Sequence, residues 1–308
     1  MSTIAAPVIW RISDGRAGHD TQSTGLAEAL QRRLDCQVLA MNARPRPAAL
    51  IDFVGRRYRP GTGQAPPDLI IGAGRRNHTE MLAARHSYGG RCIVIMRPGL
   101  PTSWFDLCLI PAHDQPPPAP NVVTTKGALN RMRPGANHPR QGLILIGGPS
   151  RHHDWDEDRI ISRIREVVAD DHEIHWTITD SPRTPTTTGR LLARGLAAPA
   201  DYRPFHECPP GWLAAMLPET GVAWVSEDSV SMIYEALSAG CRVGLLDVPR
   251  RAGSSRVIRG IDSLVREAFV TPYAHWQQTR ILPPAPALLQ EADRCAAIIV
   301  ERFLGGRS

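Results

Sequence analysis

The sequence predicts an α/β protein of two domains of nearly equal size, each a mainly parallel sheet built from βα units. Three observations predict it. The chain has 308 residues, enough for two domains of ordinary size. Short apolar runs alternate with helix-period segments throughout. The scheme also restarts after a polar stretch rich in Pro and Arg, Leu129–Gln141. Ligands bind beyond the strand C-termini of parallel sheets, so the two domains are expected to face a cleft between those ends.

In the first half, Val8–Ile12, Gln37–Met41, Asp68–Ala73, Arg91–Met96, Phe105–Ile110 and Asn121–Thr125 read as strands. Helical spacing falls at Ser23–Leu34, around Ala48–Tyr58 and at Asn77–His86. The second half gives strands at Gly142–Gly147, His172–Thr179, Gly221–Val225 and Cys241–Asp247. Its helices fall near Asp156–Ala169, Thr186–Arg194, Ser229–Ala239 and Val257–Glu267. An amphipathic helix at Pro286–Phe303 closes the pattern. The expected division is residues 1–135 for the first domain, 136–285 for the second, and 286–308 for a helix packing back on the first.

Composition narrows the classes. Apolar residues make up 42% and charged residues 21%, which excludes a largely disordered chain. No apolar run is long enough to cross a membrane, and Met1–Pro7 lacks the basic and apolar regions of an export signal. Six scattered cysteines without a Cys-x-x-Cys pair read as reduced core thiols, so a cytoplasmic location is expected. The net charge of +6 permits anionic partners, a membrane surface among them; no nucleic-acid-binding motif is present.

Chemistry concentrates in Ala223–Gly240. A buried strand ends at Val225, a polar turn follows, and a helix begins near Ser229. A helix N-terminus directly after a parallel strand suits phosphate, through its free N–H groups and dipole. Asp228, Ser231 and Glu235 share the face opposite Ile233, Ala236 and Leu237, and Glu235 can accept hydrogen bonds from a ribose diol. A capped surface helix with Glu235 solvated fits the same spacing. Gly72–Arg76 and Gly147–Ser150 stand at equivalent strand ends, where backbone N–H groups can cradle phosphate and Arg75 or Arg151 can add charge. Asp154-Trp155-Asp156 has the form of a metal-binding Asp-x-Asp, but it opens an amphipathic helix and reads as dipole complementation. No metal is therefore expected. Arg56, Arg57 and Arg59, and the group Arg250, Arg251, Arg256 and Arg259, read as solvated faces or as contacts to acidic lipid; the second group, just beyond the Asp247 strand end, also suits a phosphate.

The Ser229–Gly240 segment, with Glu235, Gly240 and the Val243–Asp247 strand, resembles the donor-nucleotide site of GT-B glycosyltransferases. Five blocks, in order over residues 10–232, resemble the mitochondrial-fission (elongated mitochondria) family. They begin at Trp10-Arg-Ile-Ser-Asp-Gly, Pro67-Asp-Leu-Ile-Ile-Gly, Phe105-Asp-Leu-Cys, Gly147-Gly-Pro-Ser-Arg-His and Glu227-Asp-Ser-Val-Ser-Met. Ala112 stands where that family would place Glu, and Asp20 where Asn is common.

The resemblance implies two Rossmann-like domains of GT-B type. It implies a nucleotide-sugar held by Gly147, Gly148, Ser150, Asp228, Ser229, Ser231 and Glu235, used without metal or other cofactor. The loop Ser13–Gln22 would meet acceptor or phosphate, with Gly15, Gly18, Gly74 and Arg75 as contacts and glycines allowing positive φ. His19 and Asp14 are the candidate general base, since a neutral imidazole accepts a proton near neutral pH. An Asx turn at Asp14 and a carbonyl-bonded His19 are the bland reading of the same residues. The function expected is glycosyl transfer to an envelope glycan or lipid, by an enzyme peripheral to the inner membrane face. A silent module recruiting partners at a membrane and a nucleotide-sugar epimerase are the alternatives.

Overall fold

The computed structural model describes residues 6–195, 200–253 and 256–305. Most of the Met1–Pro7 stretch read for an export signal lies outside them. The chain divides into two compact units, residues 1–131 with 290–308, and residues 132–289.

The first unit holds six parallel strands: β1 (Val8–Ser13), β2 (Gln37–Asn42), β3 (Leu69–Ala73), β4 (Arg91–Ile95), β5 (Leu107–Pro111) and β6 (Val122–Thr125). Their order across the sheet is β2-β1-β3-β4-β5-β6. The central strands are apolar throughout because both faces are covered. Ile9, Leu69, Ile71 and Ile93 point into one core, and Trp10, Ile12, Ile70 and Val94 into the other. Helices α1 (Ala17–Gln31), α2 (Arg46–Gly55) and α3 (His78–Tyr88) connect the early strands, and α2 packs on α3.

The second unit repeats the architecture: β7 (His138–Leu145), α4 (Glu157–Asp170), β8 (His175–Thr179), α5 (Thr186–Gly195), β9 (Ala200–Tyr202), α6 (Trp212–Met216), β10 (Thr220–Ser226), α7 (Val230–Ser238), β11 (Arg242–Leu246), α8 (Arg256–Arg266), β12 (Thr271–Pro272) and α9 (Tyr273–Thr279). The parallel order is β12-β11-β10-β7-β8-β9, the doubly wound arrangement of a dinucleotide-binding fold. Leu143, Leu145, Val225 and Leu245 fill one core, and Ile144, Trp176 and Trp224 the other.

The final helix, α10 (Glu291–Ile299), continues as a turn of π-helix through Leu304. It returns to the first unit, packing on α1 and adding Ala292, Cys295, Ala296 and Ile299 to that core. It starts five residues later than the predicted Pro286. The first helix differs more: it begins at Ala17, not Ser23, so Gly18 and His19 are helical and not part of a loop. Arg16 provides no side-chain cap there, which is why the usual start signal is missing. β7 also begins earlier than predicted, inside the polar stretch taken as the boundary.

Candidate functional site

In an open parallel sheet the ligand-binding position lies beyond the strand C-termini where the strand order reverses. In the first unit that point lies between β1 and β3, and in the second between β7 and β10. The predicted residues fall at both.

At the first switch point the chain leaves β1 through Ser13-Asp14-Gly15. Gly15 adopts φ +75°, which an L side chain resists, and its N–H donates to Ser13 Oγ at 3.0 Å. Ser13 Oγ also bonds Asp20, whose carboxylate takes Arg11 Nη1 at 3.1 Å. So tied, the turn aims Asp14 inward with its side chain 2% exposed. Both Asp14 oxygens lie 3.0 Å from His19 Nδ1. The imidazole is thereby held in one orientation, with Nε2 making no hydrogen bond among the described residues.

Gly74, at the end of β3, has φ +83°, and a Cβ there would sit 2.2 Å from His19 Cε1. Its role is to admit the histidine ring. Gly18 corrects the expectation of positive φ: it lies within α1, in open space. Arg75 is exposed, with its stem against Gly99, while Asn77 ties the two strand ends together by donating to Ile12 O at 3.1 Å and Ala73 O at 2.8 Å. Beside this turn is a concavity of about 720 Å³ lined by Asp14, Ala43, Arg44, Pro45 and Arg76. Arg44 is braced there by the buried Glu80 and by Asp52. Arg44 and Arg76 were not singled out from the sequence, since nothing local to them distinguishes them.

At the second switch point the loop after β7 meets the turn after β10. Gly147 donates its N–H to Ser226 Oγ at 2.7 Å, and Gly148 to Asp228 Oδ2 at 2.9 Å. These N–H groups are thus occupied, which corrects the expectation that they cradle phosphate. The glycines are needed for close approach: a Cβ on Gly147 would meet Asp228 Oδ2 at 2.1 Å, and one on Gly148 would meet Arg183 O at 2.2 Å. Asp228 has a fully buried side chain that also accepts from Ser226 Oγ at 2.8 Å and Arg183 Nη2 at 2.8 Å. Its carboxylate organises the loop and is not turned out to a ligand. Ser226 and Arg183 were missed by sequence reasoning. The Arg183 contact joins residues 45 apart in the chain, with no local signal.

Ser150 Oγ accepts from the N–H groups of His152 and His153 at 3.2 and 3.1 Å. The loop is then zipped to the one after β11 through Asp154 N to Pro249 O and Arg251 N to His152 O. His153 is fully buried, its Nε2 without a partner, and burial holds its pKa below the ordinary histidine value. Asp154 accepts from Arg251 Nε at 2.7 Å, and Asp156 caps α4 through Arg159 N at 3.0 Å. Among the described residues no cluster fit to hold a metal ion is present.

Helix α7 starts at Val230 with Ser229 as N-cap, and the Ser229 side chain makes no capping bond, so the first N–H groups are left for another acceptor. Ser229 is buried and Ser231 exposed. Glu235, one further turn along, is not the solvated residue of the capped-surface-helix alternative. It is half-buried, makes no hydrogen bond or ion pair among the described residues, and burial pushes its pKa up to about 7. A carboxylate desolvated without a partner is costly in an empty protein and suited to accepting a ligand's hydroxyl groups. The nearby Glu227 is already engaged by Arg250, which also holds Asp262 at 2.8 Å.

Comparison with solved structures places both units within one known architecture. A Listeria monocytogenes protein assigned as a UDP-N-acetylglucosamine 2-epimerase superposes with a TM-score of 0.60 at 12% identity, covering 98% of each chain. The UDP-GlcNAc 2-epimerase of Neisseria meningitidis, solved with UDP-GlcNAc bound, gives 0.54 at 11% identity, over 98% of this chain and 100% of that one. A glycosyltransferase from Rickettsia africae gives 0.51 at 9% identity, over 97% and 94%. The chain therefore has the GT-B-like fold that such epimerases and glycosyltransferases share. No helix among the described residues is long and apolar enough to cross a membrane. The family model described as mitochondrial fission ELM1 matches residues 17–303, and the chain belongs to that family.

Proposed function

We propose that this protein is a metal-independent glycosyltransferase of GT-B type that takes its sugar from a nucleotide donor. The observation that carries the reading is helix α7, where uncapped N–H groups and the unpartnered Glu235 offer a diphosphate and a ribose what each needs. The UDP-GlcNAc bound by the Neisseria protein, on the same fold, supports that ligand class. Ser229 and Ser231 flank the phosphate position, while Gly147, Gly148, Ser150 and Asp228 shape the wall beside it.

In the first unit, Asp14 orients His19 so that Nε2 takes the proton of an acceptor hydroxyl. The hydroxyl oxygen bonds to the anomeric carbon, and the carbon–oxygen bond to the β-phosphate breaks. The electron pair leaves with the nucleoside diphosphate, whose added charge the α7 N-terminus meets. Metal is dispensable in this scheme because Asp154 and Asp156 are committed to Arg251 and to the α4 cap. The acceptor is an envelope glycan or lipid, met by a cytoplasmic enzyme at an anionic membrane surface, a setting that the net charge of +6 permits. Gly15, Gly74 and Arg75 border the acceptor position.

One further reading, a nucleotide-sugar epimerase, is favoured by the fold likeness to the Listeria protein. Calorimetric titration with UDP, GDP and CMP, with and without EDTA, tests the donor site. One nucleotide should bind in both conditions; binding lost in EDTA and traced to Asp154 or Asp156 would overturn metal independence. Conversion of the bound nucleotide-sugar to its epimer with no acceptor present would replace transfer by epimerisation.

A further inference from the structure

Helix α2 carries apolar residues at Pro47, Leu50, Ile51 and Val54, the i, i+3, i+4, i+7 spacing that normally marks a buried face. The structure turns this stripe outward. Leu50 is 55% exposed, Ile51 64% and Val54 76%, whereas Ala49 and Asp52 on the opposite side are buried. The inward face is fixed by a polar anchor: Asp52 accepts from Arg44 Nη2 and from Arg59 N, each at 2.9 Å. The helix therefore cannot roll its apolar side inward without stripping a buried carboxylate of its partners.

The charge around the stripe is one-sided. Residues 44–59 contain five arginines and a single carboxylate, Asp52, which is buried and paired. Arg56 and Arg57, exposed at the C-terminal end of the helix, make no ion pair among the described residues. Three aliphatic side chains on one short helix are far below the roughly 800 Å² per partner that a stable protein–protein contact needs. An aliphatic strip without aromatic anchors, edged by cations and free of exposed acid, matches an interfacial helix.

We propose that α2 docks this protein on an anionic lipid bilayer, with Leu50, Ile51 and Val54 entering the acyl boundary and Arg56 and Arg57 meeting lipid phosphates. The segment Ala43–Pro45, which leads into α2, lines the concavity beside Asp14. Docking thus holds that concavity close to the lipid surface, where a lipid-borne acceptor would present its head group. This consequence rests on the transferase reading; the docking itself does not.

The test is flotation of the full chain with phosphatidylcholine vesicles containing about one-third phosphatidylglycerol, against pure phosphatidylcholine. Binding should be at least tenfold stronger to the anionic vesicles and should weaken with salt (~10-fold marks the contrast expected for two or more engaged cations). Ile51→Glu with Val54→Glu should abolish it, and Arg56→Gln with Arg57→Gln should weaken it about fivefold per arginine. Nucleotide titration of the same preparations keeps the two readings separate, because donor binding should be equal in all of them. Wild-type protein that stays unbound overturns the proposal, as does equal binding by both double variants. A stripe variant that changes only the sedimentation mass of the free protein would assign α2 to contacts between copies. Should the glutamate pair misfold, the arginine pair alone decides.

Discussion

Asp14 in the first unit and Glu235 in the second are both acidic side chains beside a helix at a switch point, and they differ in what satisfies them. Asp14 is buried against His19, with two 3.0 Å contacts in place before any ligand arrives. Glu235 is half-buried and, among the described residues, has no donor to accept from. A paired carboxylate fixes geometry in advance, which a proton transfer requires. An unpaired one leaves an unfavourable desolvation that a ligand's hydroxyl groups relieve on binding. On the proposed function, the first unit supplies the reacting pair and the second holds the donor.

Breaking the reactive side should give the largest effect. His19→Ala should lower turnover ~10²–10⁴-fold and leave donor affinity within a few-fold. Steady-state kinetics and nucleotide calorimetry on one preparation read both numbers. Equal loss of affinity and turnover would move His19 onto the diphosphate and dissolve the contrast. Asp14→Asn should act in the same direction but more mildly, as expected of a group that orients the ring.

Next comes the support beneath the holding side. Asp228→Ala leaves the buried Gly148 N–H and Ser226 hydroxyl without their acceptor. A loss of about 1–3 kcal/mol per orphaned donor is expected in denaturant unfolding. Unchanged stability would show that the loop reorganises and that Asp228 is available to ligand after all.

The smallest effect is also the sharpest test of the comparison. Glu235→Gln should weaken nucleotide binding by ~1.5–3 kcal/mol, since hydrogen bonds to a charged acceptor are lost. The same change should stabilise the empty protein at alkaline pH. Burial raises the Glu235 pKa from 4.5 to about 7, so between those values the unfolded chain has released its proton and the native one has not. Stability therefore falls as pH rises through that window, by on the order of 3 kcal/mol, and levels off above about pH 7. The variant should lack that slope, and wild-type donor affinity should decline as pH drops below about 7. Thermal melts across about pH 4–9, which spans the window from 4.5 to about 7, would show it.

Most of the architecture was legible because central parallel strands, covered on both faces, read as unbroken apolar runs. The exceptions have physical reasons. β12 has two residues and β9 three, too few for any periodicity to register. α1 begins without a capping side chain, so its true start at Ala17 was invisible. At the site, Gly15 and Gly74 could be read as backbone requirements, and His19, Asp14 and Glu235 as chemistry. What could not be read was occupancy. Whether Gly148 N–H was free depended on Asp228, which lies 80 residues away, and whether Glu235 was wet depended on packing. The apolar stripe of α2 misleads in the opposite sense, since its spacing announces burial and the buried Asp52 anchor decides otherwise.

The return of α10 to the first unit sets an order on the birth of this protein. Residues 132–289 form a continuous unit, whereas the first unit is completed only by residues from 290 onward. During synthesis the six-stranded sheet nearer the N-terminus emerges first, but Leu26, Leu30 and Leu129 wait for Ala296 and Ile299 to cover their shared core. The later-made unit holds all its own parts and can close before the earlier-made one. Vectorial synthesis, which ordinarily favours the leading domain, here leaves that domain's core open until the last residues are made.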